Sequence, residues 1–538
     1  IKPIQIRYQL WYRFLHLLGQ KKRHNLFLDR IGAPLFFNPW IDNPTSLRYN
    51  INKKDDELNE LTFTFLNISN SYTKGNIAWN EENFGKLWTY NLNYMDFLLQ
   101  SNMERELGYD LINSFIEDLP HNPTALESYP IALRGVNWIK FLNRHSLDEN
   151  TENRIFVNQP ELKKQIDGSL YAQYYILYKN PEYHLLANHL LENGFSLLFG
   201  AFYFNDYIFY RKARYIIESE LTEQILNDGG HFELSPMYHQ IILERLLDCI
   251  NLLQNNHRFS NQEKLLELLK YDAKKMLSWM KNITFSSGDL PMLNDAAPGI
   301  APNTAQLIKY ASALGLYSDE LNSKLSDSGY RKYSCFNYEC IIDIGQIGPT
   351  YQPGHAHADT FNFVLYAKKK PIIVDPGIST YELGKTRLNE RGTAGHNTVS
   401  ILDRDSSEVW ASHRVGRRAI VTIMKDIDNN IKAQHNGYYN LGTFHQREWK
   451  FSENTIEITD TLKGKVRNGI AHFWFSSGIG VDRIGGTLDT AFVSINFEFS
   501  ETIDLLNTKI PDGYNKFSDN YKVEVKFKEF LKTKITIK

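Results

Sequence analysis

Cysteine is the scarcest informative residue here. Cys249, Cys335 and Cys340 are the only three in 538 residues, so no disulfide framework staples the fold and at least one thiol stays unpaired. Long apolar runs are missing too: nothing approaches the ~18 residues of a membrane-spanning helix. The opening Ile1-Lys2-Pro3-Ile4 has neither a Met nor the apolar core of a signal peptide. A removed leader is one reading of that start and a trimmed one the other. Charge of one sign is absent as well, since 60 Lys and Arg oppose 62 Asp and Glu for a net −2. An anionic partner must then be met by a local basic patch, and without a reader motif nucleic acid is disfavoured.

What is present reads as a globular chain, 42% hydrophobic and 23% charged, too long at 538 residues for a single core. Aromatics reach 13% with nine Trp. Such faces suit stacking on sugar rings, and they suit ordinary cores equally well.

The hydrophobic period divides the chain. Residues 1–80 mix a short amphipathic helix near Tyr8 with extended pieces such as 61–65. Helical spacing dominates from 81 to 328, over 91–102, 135–144, 170–178, 183–198, 207–228, 235–254 and 264–281. From 329 to 538 the period becomes that of strands, at 338–344, 361–366, 371–374, 398–401, 419–424, 442–451, 455–462, 470–474, 493–499 and 523–527. Strands without intervening helices predict an antiparallel sandwich. The helices fit a bundle or paired helices wound into a ring.

Five stretches carry candidate chemistry. Asn188-His189 lies in a helical run where His184 and Asn188 share a face, a polar stripe or a donor pair for a carboxylate. Ser235-Pro236-Met237-Tyr238 is a strong helix start, Ser at the N-cap and Pro after it. It places Tyr238 in the first turn, where the helix dipole favours a phenolate; a packed Tyr with its hydroxyl at the surface is the plainer reading. Gly354-His355-Ala356-His357-Ala358-Asp359 puts two His two residues apart, on one face if the segment is extended. The Lys368-Lys369-Lys370 turn returns the chain so that Asp375 approaches His357, and His396 precedes a further strand. His357, Asp375 and His396 suit a transition metal such as Zn²⁺; a buried His–Asp hydrogen-bond network is an equal reading of the same spacing. Arg387, Arg391, Arg404, His413, Arg414, Arg417 and Arg418 crowd around Trp410, a basic set able to pair with carboxylate or sulfate, or simply a solvated face. Tyr129, Arg134 and Asn137 with Trp138 line one side of a helix start, which can hold a sugar or merely cap and pack.

Taken together these residues resemble the heparinase II/III-like polysaccharide lyases. The likeness runs through Leu87-Trp88-Thr89-Tyr90-Asn91-Leu92-Asn93-Tyr94, residues 129–138 and 187–193, and above all 354–366, 374–377, 391–399 and 414–418. The resemblance implies a multidomain α+β fold, an N-terminal (α/α) toroid followed by a C-terminal antiparallel β-sandwich. It implies β-elimination on a uronic-acid-containing acidic polysaccharide, either glycosaminoglycan-like or bacterial capsular, leaving unsaturated uronate ends. Asn188, with His189, would neutralise the uronate carboxylate; Tyr238 and His355 would exchange protons with C5 and O4. Tyr129, Arg134, Asn137, Arg391 and Arg414 are the expected substrate-binding residues. His357, Asp375 and His396 would hold a divalent metal, Zn²⁺ first, in a supporting role. A bacterial enzyme of this kind is expected in the periplasm or outside the cell, with the cytoplasm the other location. The alternative is a non-catalytic acidic-polysaccharide-binding or surface-polysaccharide biosynthesis protein on a lyase scaffold.

Overall fold

A computed structural model describes residues 2–17, 51–55, 60–146, 160–317 and 325–538. Its helices form where the 3.6 period predicted them. The plainest case is Ala187–Phe204, apolar on nearly all sides, of whose 18 residues 17 are buried. Such a helix lies inside its unit rather than on its surface. The one residue of it left open is His189. Close approach is arranged by small residues: a Cβ on Gly135 would lie 2.7 Å from the Tyr174 hydroxyl, and one on Gly200 would lie 2.6 Å from the same ring. Both helices therefore pack directly onto Tyr174.

Several boundaries differ from the periodic reading, and backbone conformation explains two of them. The helix expected over 91–102 is Lys86–Tyr94, ended by Met95 in the left-handed region, with a 3₁₀ turn over Asp96–Leu99. The helix expected from 183 begins at Ala187, because Leu186 and Ala187 carry positive φ of 63° and 54°. Neither residue is one that periodicity would single out for a left-handed conformation.

The chain divides into two compact units that interleave along the sequence. One comprises Ile1–Gln224, Ile242–Ala273 and Lys309–Tyr317; the other comprises Ile225–Ile241, Lys274–Ile308 and Ser318–Lys538. The first holds the helices Arg105–Asp118, Ser128–Ser146, Pro160–Lys179, Ala187–Phe204 and Tyr207–Gln224. It also carries a three-stranded antiparallel sheet of Ile51–Asp55, Glu60–Phe65 and Ile68–Thr73.

The second unit is rich in strands. Tyr330–Ser334, Tyr338–Asp343, Phe363–Ala367 and Lys370–Ile373 make a four-stranded antiparallel sheet in that order. Its last hairpin turns through Lys368 and Lys369, both at positive φ (48° and 62°), the backbone a two-residue type I′ turn requires. A ten-stranded sheet centres on the hairpin of Val493–Pro511 with Phe517–Ile537, 19 and 21 residues long. Phe361, Phe363, Trp449, Phe473, Val523 and Ile535 are among its buried core. The 354–359 segment is a loop between Tyr338–Asp343 and Phe363–Ala367. The alternation of an ideal strand therefore does not apply to His355 and His357.

A charge pair inside this core supports the loop from below. Arg447 donates to both Asp460 oxygens at 2.7 and 3.0 Å and to the carbonyls of Phe361 and Asn397, each at 2.8 Å. Neither side chain touches solvent. Arg447→Ala would leave the Asp460 carboxylate with His445 as its remaining partner and strand two carbonyls, so a loss of about 3–5 kcal/mol is expected. Chemical denaturation monitored on the strand-rich unit measures it, and a change below about 1 kcal/mol would mean that water replaces the guanidinium.

Candidate active site

The 354–359 loop is pinned by its own backbone. Asp295 N–H donates to the His355 carbonyl at 3.1 Å, Ala358 N–H to the Arg391 carbonyl at 2.9 Å, and Thr393 Oγ1 to the Ala358 carbonyl at 2.8 Å. His357 N–H donates to Asn294 Oδ1 at 3.1 Å. So anchored, the two histidines face different carboxylates. His355 Nδ1 lies 2.6 Å from Glu233 Oε2, whereas His357 Nε2 lies 2.8 Å from Asp295 Oδ1.

Around His355 the second unit assembles a compact reactive group. The Ser-Pro start behaves as its residue types demand: Pro236–Asn255 is a helix, and Ser235 Oγ both receives Tyr238 N–H at 3.4 Å and donates to the Asp295 carbonyl at 2.7 Å. Tyr238 in its first turn stacks on His355, ring centroids 3.9 Å apart and planes 13° off parallel. Its hydroxyl sits 2.9 Å from that of Tyr381. The ring of His413 lies 6.2 Å from that of His355 and 5.0 Å from that of Tyr381. Tyr381 in turn carries the Arg387 guanidinium 5.0 Å above its ring.

Electrostatics here decide between the two readings of Tyr238. Loss of solvation, reinforced by Tyr514, Asp295 and Glu233, raises the Tyr238 phenol well above its ordinary value, against the pull of the Tyr381 hydrogen bond. The helix N-terminus favours phenolate, but burial beside two carboxylates outweighs it. Tyr238 is thus a protonated donor at neutral pH. Asp295 goes the other way. Burial alone would raise it, yet Arg387 and His357 hold its carboxyl far below the usual range. Arg387 binds both its oxygens, at 2.5 and 2.8 Å.

The residues expected to hold a metal split into two patterns. His357, Asp375 and His396 are all buried, with His396 Nδ1 2.8 Å from Asp375 Oδ2 and the two imidazole centroids 5.2 Å apart. Each histidine spends one ring nitrogen on a carboxylate; among the described residues His357 Nδ1 and His396 Nε2 have no hydrogen-bond partner. Ligand histidines are oriented in this way, one nitrogen bare and the other braced, so the pair fits a metal. Among the described residues, however, the set of three whose ligand atoms all lie within 4.8 Å of one another is Asp295, His355 and His413. That set is a possible metal triad by distance, but its chemistry is poor: the Asp295 oxygens are saturated by Arg387, a cation that would repel the metal.

The remaining expected residues fall into two groups. In the helical unit, Asn188 is buried and His189 half-open, its Nδ1 3.3 Å from Glu182 Oε1 and its ring 4.5 Å from that of Tyr129. Arg134 has no exposed surface and spends its guanidinium on Gln173 and the carbonyls of Asn93 and Ala125. Asn137 is buried and donates to the Tyr94 carbonyl at 2.9 Å. In the strand-rich unit Arg391 is likewise enclosed, bonded to the carbonyls of Ala356, Ala411 and Arg414, while the Arg414 side chain is exposed. Arg134, Asn137 and Arg391 therefore brace backbone rather than present donors to a ligand. Tyr381 is a member of the reactive group that no motif or spacing announces.

Residues 110–324 match the heparinase II/III N-terminus model and 319–509 the heparinase II/III-like C-terminal model. The chain belongs to the heparinase II/III-like family. Among solved structures it is similar to a heparinase III, with a TM-score of 0.70 and 16% identity over 99% of this chain and 92% of that one. It is also similar to a heparan sulfate lyase from Pedobacter heparinus, with a TM-score of 0.57 and 15% identity over 87% and 79%. A curated heparin-sulfate lyase of Bacteroides stercoris is 22% identical over 370 residues, 62% of this chain and 52% of the relative. The chain thus spans about half the length of that relative. At these identities the structural likeness establishes the fold.

His231, buried two residues before Glu233, gives a pH test. Loss of solvation and the nearby His355 lower its pKa to about 4, against the opposing pull of Glu233. Unfolded imidazole protonates near 6.5. Between those values the unfolded chain binds more protons, so this residue's contribution is lost as pH falls from about 6.5 to 4. Wild type should accordingly lose stability relative to His231→Gln across that window, and parallel melting-temperature profiles would refute it.

Proposed function

We propose that the protein is a polysaccharide lyase that cleaves a uronic-acid-containing polysaccharide by β-elimination. Its substrate class is glycosaminoglycan-like, such as heparan sulfate or heparosan, or a bacterial capsular chain. The observation that carries this is the Tyr238–His355 stack, with Glu233 on His355 Nδ1 and Tyr381 on the Tyr238 hydroxyl. Elimination needs a base for the C5 proton and an acid for the departing O4, close together. Glu233 holds the Nδ1 proton of His355, which leaves Nε2 free to accept from C5. Tyr238, kept protonated by burial, donates to O4 and is resupplied through Tyr381. Hydrolysis would need two available carboxylates; Glu233 is engaged by His355 and Asp295 by Arg387 and His357.

Family resemblance supports Asn188 and His189 as the donors that neutralise the uronate carboxylate, Tyr129 as a sugar-binding residue, and the (α/α) toroid and antiparallel sandwich as the architecture. Arg414 is the other binding residue we retain. His357 and His396, with Asp375, would hold a divalent metal, Zn²⁺ by ligand type. When bound it supplies positive charge that fixes the 354–359 loop. A substrate of this class goes with a periplasmic or secreted location.

Incubation with a panel of uronate polymers should produce the ultraviolet absorbance of the new C4=C5 bond. Cleavage without that chromophore refutes elimination, and binding without cleavage leaves a non-catalytic polysaccharide-binding protein. Tyr238→Phe should lower kcat by at least about 10²-fold; a variant as active as the parent removes Tyr238 from the mechanism. Elemental analysis of the dialysed protein should find about one equivalent of metal, lost in His396→Ala. A metal-free wild type would reduce the three residues to a hydrogen-bond network.

A further inference from the structure

Beyond the reactive group, the short ribbon over 409–415 has features that packing leaves unused. Its strands Val409–Trp410 and Arg414–Val415 pair antiparallel, and Trp410 stands directly opposite Arg414. Directly paired residues share a face, so indole and guanidinium lie side by side, 6.0 Å from the cation centre to the ring centroid. Both are exposed, Trp410 by 52%. Among the described residues Arg414 has no ion-pair partner. An exposed Trp beside an uncommitted Arg has no evident structural work.

A two-stranded ribbon of this length is not stable alone. Here it is braced from beneath. Arg387 Nε donates to the Ser412 carbonyl at 3.0 Å; Arg391 donates to the carbonyls of Ala411 and Arg414 at 3.1 and 3.3 Å. Both braces are wholly enclosed. Two buried cations thus hold three carbonyls of one small exposed turn. Such expenditure makes sense if the outer face must be rigid, as a preorganised binding surface must. The same turn carries His413, whose ring lies 6.2 Å from that of His355. The ribbon is therefore continuous with the reactive group.

We infer that Trp410 and Arg414 form a subsite for an anionic sugar unit next to the one being cleaved, the indole stacking on the pyranose and the guanidinium pairing with its carboxylate or sulfate. This rests on the lyase reading for the position of the scissile bond. The chemistry itself does not: a flat apolar face suits the C–H side of a sugar ring, and Arg forks onto planar or tetrahedral oxyanions. A neutral glycan would leave Arg414 unpaired.

The full-length protein with Trp410→Ala, Trp410→Phe or Arg414→Gln tests it, using heparan sulfate and heparosan oligosaccharides as probes. Trp410→Ala and Arg414→Gln should each raise KM about tenfold, about 1.4 kcal/mol, with a much smaller change in kcat; Trp410→Phe should recover most of the loss. Arg414→Gln should also flatten the salt dependence of KM. Binding is read separately, as an oligosaccharide-induced change in tryptophan emission that Trp410→Ala abolishes. Cleavage with unchanged KM in both truncations overturns the subsite and leaves the lyase reading standing. Emission changes that need Trp410, without cleavage by wild type, uphold the subsite and overturn the lyase reading. An emission change that persists in Trp410→Ala overturns the subsite.

Discussion

Everything distinctive in the strand-rich unit depends on the enclosed pair Asp295–Arg387. Asp295 takes both arms of the guanidinium and the Nε2 proton of His357; its backbone receives Ser235 Oγ and donates to the His355 carbonyl. One residue therefore ties the Tyr238 helix start, the 354–359 loop and the 385–391 helix into a single register. Arg387 extends the tie to the 409–415 ribbon through the Ser412 carbonyl. A buried ion pair is weak evidence of stability in itself, because its desolvation offsets the attraction. Its value here is positional, since loss of either partner would leave an unpaired charge with no route to water.

That pair also decides between the two histidine sets. Asp295, His355 and His413 converge closely enough for a metal, yet Arg387 already supplies the positive charge that the carboxylate wants. His357 and His396 differ: each has a buried ring nitrogen with no hydrogen-bond partner among the described residues. An enclosed imidazole nitrogen without a partner forfeits on the order of 1–3 kcal/mol, and here the two rings lie with centroids 5.2 Å apart. His355 and His357 thus meet different carboxylates, Glu233 and Asp295, although a single residue separates them.

Much of the fold was legible. The change of hydrophobic period falls near residue 329, the Ser235-Pro236 cap begins a helix, and the lysine turn closes a hairpin, because each rests on local backbone preference. Arg134, Asn137 and Arg391 show what sequence cannot carry: Arg and Asn are mostly exposed, and nothing in the motifs marks the enclosed carbonyls that take donors from each of them here. Between a dipole-favoured phenolate and the plainer packed phenol at Tyr238, burial selects the protonated form. The helix dipole can be read from a cap, whereas the burial and the carboxylates of Glu233 and Asp295 are brought together only by the fold. Tyr381 was invisible, since nothing in Ser379-Thr380-Tyr381-Glu382 marks it until its hydroxyl meets that of Tyr238.

The separation of the two motif histidines shows how a loop does what a strand cannot. On an extended chain residues two apart point to one side, and both imidazoles would compete for one carboxylate. In the loop, Asp295 N–H fixes the His355 carbonyl, Asn294 fixes the His357 amide and Arg391 fixes the Ala356 carbonyl between them. Two consecutive peptides are thus held by two different segments, 294–295 and Arg391, and each side chain goes where its peptide plane sends it. His355 meets Glu233 beside Tyr238; His357 turns to Asp295 and to the neighbourhood of His396. Arg391, expected at the substrate, is one of the residues that makes that divergence possible.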